Sequence, residues 1–83
     1  MDNDILMAIA EELTGRGLVA YWSRLHGKAY VSSRNNVHEY SVSIGSNNEL
    51  LVSNIIYWDP VEIDLCDPKL IEKIVRKVTF PYG

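Results

Sequence analysis

Tyr40-Ser41-Val42-Ser43-Ile44-Gly45-Ser46-Asn47-Asn48-Glu49-Leu50-Leu51-Val52-Ser53-Asn54-Ile55 decides the fold class. Tyr40, Val42 and Ile44 alternate with Glu39, Ser41 and Ser43, so one set of side chains falls on each face of a strand. Leu50, Leu51 and Val52 begin a second strand after Gly45-Ser46-Asn47-Asn48. Glycine and asparagine tolerate the positive φ angles of a tight reversal, which makes the middle of the stretch a hairpin turn. The segments on either side are built to flank this hairpin.

Upstream, residues 4–13 predict a helix. Ile5, Leu6, Ile9 and Leu13 share one face. Asp2, Asn3 and Asp4 offer capping oxygens and negative charge at its start, and Gly15 and Gly17 stop it. Residues 18–24 and 28–34 then read as two strands joined by Leu25-His26-Gly27, with Asn35-Asn36 as the next turn. Such short polar turns imply an antiparallel meander, because parallel neighbours need long crossovers.

Downstream, Ile56-Tyr57-Trp58-Asp59-Pro60 breaks the alternation. Proline lacks the amide a central strand needs, so this is an edge, a bulge or a bend. Residues 61–66 resume it, with Val61, Ile63 and Leu65 opposed to Glu62, Asp64 and Cys66. Asp67-Pro68 predicts the start of a second helix, with Leu70, Ile71, Ile74, Val75 and Val78 as its apolar stripe. Phe80 and Tyr82, in the tail, are expected to fold back onto the core.

The expectation is one compact α+β domain over residues 1–83: an N-terminal helix, a four- to five-stranded antiparallel meander, and a C-terminal helix. Each helix has a single apolar face, so both should cover one side of the sheet. That side would hold Ala29, Val31, Tyr40, Val42, Ile44, Val61, Ile63 and Leu65. The other would hold Tyr21, Tyr30, Ser32, Ser41, Ser43, Glu62 and Asp64.

No apolar run approaches the roughly 20 residues that cross a bilayer. The acidic start does not resemble a secretory signal. Cys66 is the only cysteine, which excludes an internal disulfide. These features together predict a small acidic cytoplasmic protein. The formal net charge is −3, and it is unevenly spread. Arg16, Arg24, Lys28 and Arg34 face Glu39 alone in residues 16–40, whereas Glu49, Asp59, Glu62, Asp64 and Asp67 meet no Lys or Arg in residues 49–67. Neighbouring strands would be expected to pair these charges across the sheet. Left unpaired, they would polarise the surface and steer a charged partner.

Tyrosine and serine together favour recognition surfaces: tyrosine gives large contact area with few rotatable bonds, and serine gives adaptable hydrogen bonds. The sequence therefore predicts a non-catalytic interaction protein, an inhibitor, adaptor or accessory factor. It would need no cofactor and would bind a protein partner through Tyr21, Tyr30, Tyr57, Trp58, Glu62 and Asp64, with a homodimer as a close variant. A second class is single-stranded nucleic-acid binding, with tyrosines stacking bases and the basic N-terminal strands tracking phosphates. A third is a metal-dependent hydrolase using Glu62 and Asp64, which share a strand face. His26, His38 and Cys66 match no closed zinc spacing, and Cys66 has no base near it in sequence.

Overall fold

The computed structural model describes residues 2–34 and 38–80. Helix α1 (Asp2–Gly15) leads into strands β1 (Val19–Ser23), β2 (Lys28–Ser32), β3 (Glu39–Ile44), β4 (Glu49–Asn54) and β5 (Val61–Asp64), followed by helix α2 (Leu70–Thr79). The strands form one antiparallel sheet in the order β1-β2-β3-β4-β5, a meander in chain order.

Register assigns the two faces. Trp22, Ala29, Val42, Val52 and Val61 lie in one row, Ala20, Val31 and Tyr40 in the next, and Ile44, Leu50 and Ile63 in a third. These rows meet Leu6, Ile9 and Leu13 of α1 and Ile74 and Val78 of α2 in a single core cluster. Both helices thus cover one side of the sheet. Tyr40 is the largest of the fully buried side chains and stands on a central strand.

Helix α1 begins at Asp2, so Asn3 and Asp4 are helical residues rather than caps. It ends as the glycines require. The Leu18 amide donates to the Leu13 carbonyl and the Gly17 amide to that of Thr14, with Gly17 at φ 89°. This is a Schellman closure, and Leu18 packs with Leu13 in the core. Helix α2 begins at Leu70, later than Asp67-Pro68 suggested. Asp67 Oδ1 accepts the Lys69 amide at 2.8 Å, so its carboxylate closes the turn before the helix instead of capping it. Leu65 and Cys66 are also turn residues rather than strand, with the Cys66 amide donating to Asp64 Oδ1.

Phe80 does not fold back; it is exposed. Tyr82 and the Asn35-Asn36 turn lie outside the described residues. Among the described residues the expected cross-strand charge pairing does not form, because β1 and β2 sit at the far edge of the sheet from β5. Helix α2 supplies the counter-charges: Lys73 pairs with Asp67, and Lys77 with Asp59 at 3.3 Å.

Candidate functional site

The side of the sheet away from the helices is where the sequence places its recognition residues. Tyr21, Tyr30, Ser41 and Ser53 form a row across β1 to β4. Tyr21 and Tyr30 are direct cross-strand partners, with ring centroids 5.4 Å apart and planes at 26°. His26, from the β1–β2 turn, meets Tyr30 edge-on at 6.2 Å. Tyr21 is about half exposed and Tyr30 half-buried. Partial desolvation raises the Tyr21 phenol above its ordinary pKa, and the Glu39 carboxylate and Tyr30 add to the effect.

Further along this row the face is closed at its floor. Ser41 and Ser53 are buried, and their hydroxyls bond to each other at 3.1 Å. Ser41, expected to be free for a partner, is therefore satisfied by Ser53.

Glu62 and Asp64 stand on the same face at the opposite edge, exposed, beside Leu51 and Glu49 respectively. Four strand spacings separate them from Tyr21, or about 19 Å at ~4.8 Å per strand. Among the described residues no group of three or more His, Cys, Asp or Glu side chains is placed to hold a metal ion. His26 and His38 are at opposite ends of the sheet, and Cys66 faces Asn48 Nδ2 at 3.9 Å.

Tyr57 and Trp58 occupy a third place, the β4–β5 connection. Asn54 organises it: its Oδ1 accepts the amides of Ile56 and Tyr57 at 2.8 and 2.9 Å, and its carbonyl accepts that of Trp58. The Asp59 amide donates back to the Tyr57 carbonyl across Trp58, whose φ is 71°. This is the strained hand of γ-turn, unusual for a large side chain. Four successive apolar residues face outward here, with Ile55 50%, Ile56 73%, Tyr57 68% and Trp58 64% exposed. The Tyr57 ring has an aromatic neighbour, His38 at 5.8 Å. Contiguous exposed apolar surface on a small domain is a candidate interaction site.

The six predicted residues are thus distributed over three places. Tyr21 with Tyr30, Glu62 with Asp64, and Tyr57 with Trp58 are each brought together, but the pairs are not. Sequence reasoning missed Ile55 and Ile56, whose signal was an apolar run without alternation ahead of a proline. Lys73, Arg76 and Lys77 suit the C-terminal half of α2, where the helix dipole is negative. Their spacing of three and four residues sets them on one side of α2, beside β5.

The basic residues of the N-terminal half do not form one track. Arg24 and Lys28 lie at the turn end of the β1–β2 hairpin, whereas Arg16 and Arg34 lie at its other end. No helix among the described residues is long and apolar enough to cross a membrane. The chain has no significant match among protein-family models, curated proteins or solved structures.

Proposed function

We propose that this protein is a non-catalytic interaction module that docks a protein partner on the side of its sheet that the helices leave bare. The observation that carries the reading is the exposed aromatic platform on β1 and β2; an apolar loop tip at a second place supports it. Tyr21 and Tyr30 are stacked and accessible, and the residues 55–58 are held outward by the side chain of Asn54. Rigid aromatics anchor interfaces because they bury much area for little lost rotamer freedom. Glu62 and Asp64 form an acidic margin on the same face, which favours a partner with a complementary basic rim.

The test captures partners from the native host on wild-type protein and on Tyr30→Ala and Trp58→Gly variants in parallel. The expected result is a protein retained by the wild type and lost from both variants while their thermal unfolding stays cooperative. Retention by both variants refutes the reading. A single-stranded oligonucleotide bound at low salt and released steeply as salt rises would replace it with the nucleic-acid reading, for which the tyrosine pair flanked by His26 and Lys28 is the specific support.

A further inference from the structure

The outer edge of β5 is the sheet edge opposite the tyrosine platform. Register fixes which of its backbone groups are free. The Leu65 amide donates to the Asn48 carbonyl, so residues 65 and 48 are a hydrogen-bonded pair. Antiparallel bonds recur every second residue. Leu50 with Ile63 and Val52 with Val61 are therefore the bonded pairs, whereas Glu62 and Asp64 direct their amides away from β4. The Glu62 carbonyl also points outward. The Asp64 carbonyl is taken by the Asp67 amide at 3.0 Å. Two donors and one acceptor are thus presented along this edge.

A groove of about 390 Å³ runs beside them. Val61, Glu62 and Ile63 line its strand side, Lys73, Arg76 and Lys77 of α2 form the other wall, and exposed Phe80 contributes to the lining. Lys73 and Lys77 hold Asp67 and Asp59, and Arg76 belongs to neither of those bridges.

The edge therefore has two electrostatic sides. Toward the helices it is cationic. Toward the bare face it carries the carboxylates of Glu62 and Asp64. A strand added here would place alternate side chains on these two sides. We propose that β5 takes up an extended segment of a partner protein as a sixth strand, selecting segments in which acidic residues alternate with basic ones. Acids on the added strand meet α2, and its bases meet Glu62 and Asp64. A second copy of this chain is a poor occupant, because β5 against β5 would gather the Glu62 and Asp64 carboxylates of both copies on one face. Pro60 and the brevity of β5 limit the edge to a short segment. This inference does not rest on the tyrosine-platform reading.

The experiment titrates ¹⁵N-labelled full-length protein with two octapeptides of equal composition, one alternating Asp with Lys and one with the four Asp preceding the four Lys. The alternating peptide is expected to bind about tenfold more tightly, since only it satisfies both sides at once. The Glu62 and Asp64 amide signals should shift and become protected from exchange. Arg76→Glu should weaken the alternating peptide about tenfold by placing a like charge on the cationic wall. Tyr30→Ala should leave its affinity unchanged, which separates this site from the tyrosine platform. Equal binding of the two peptides overturns the proposal, as do shifts centred on Tyr21 and Tyr30. Protection of the Glu62 amide without peptide, accompanied by a doubled mass in light scattering, overturns it in favour of self-pairing.

Discussion

Two tyrosines on neighbouring strands give the sharpest test of the architecture. Tyr30 on β2 and Tyr40 on β3 have the same chemistry but opposite faces. Tyr40 is 1% exposed in the core. Its truncation to alanine should cost about 3–5 kcal/mol, the usual range for a buried aromatic. A domain this small has about 5 kcal/mol in total. Tyr40→Ala should therefore lose its cooperative transition or retain only a remnant of it. Tyr30 loses much less on truncation. Its stacking on Tyr21 is worth about 0.5–1.5 kcal/mol and its cross-strand contact a few tenths more. Tyr30→Ala should cost about 1–2 kcal/mol, which lowers the melting temperature by about 5–15 °C in a domain of this length. Urea denaturation measures both, and the Tyr30 variant should keep the wild-type m value because its unfolding exposes the same core. Equal destabilisation by the two variants, or a fall in m for Tyr30→Ala, would refute the assignment of a core face and a bare face.

Three further outcomes follow from local geometry. Gly17→Ala should destabilise by about 1–2 kcal/mol in urea denaturation; a Cβ there meets nothing within 4 Å, so the cost is that of the 89° φ alone. Trp58→Gly should raise the urea midpoint slightly, by relief of about 1 kcal/mol of backbone strain, while abolishing partner binding; a loss of stability would show that the indole packs more than its exposure indicates. Asp67 titrates below the usual carboxylate range because Lys73 and then the Lys69 amide bond to its carboxylate. Its contribution is present above the unfolded carboxylate pKa and disappears as pH falls through the lowered folded value. The wild-type advantage over Asp67→Asn in urea midpoint should accordingly shrink as pH falls from 5 toward 2, and an advantage that stays constant over that range contradicts the assignment.

Most of the fold was legible because period-2 alternation in this chain is backed by turn chemistry. Val42, Ile44, Leu50 and Val52 could face only one way, and Gly45 with Asn48, at φ 60°, closes the hairpin between them. The ends of α2 were less legible. Asp67 has two local uses, as a helix cap or as the acceptor for a preceding turn, and only the path of the chain leaving β5 selects the second. The candidate site was partly legible. The tyrosine pair followed from alternation, because Tyr21 and Tyr30 meet once the β1–β2 turn sets the register. Burial of Ser41 and Ser53 did not follow, since mutual hydrogen bonding depends on which strands are neighbours. The paired state of Asp59 and Asp67 was hidden for a similar reason: their cations come from a helix later in the chain, and tertiary packing alone brings them together.

The meander order has a kinetic consequence. Every strand is hydrogen-bonded to the next one in sequence, so the sheet can assemble by successive closure of short loops, each with little entropy to surrender. Among the described residues the seating of α2 against α1 and β2 brings the two ends of the chain together. Changes within the β3–β4 hairpin should therefore slow refolding, and changes at the Ile74 and Val78 contacts should chiefly hasten unfolding.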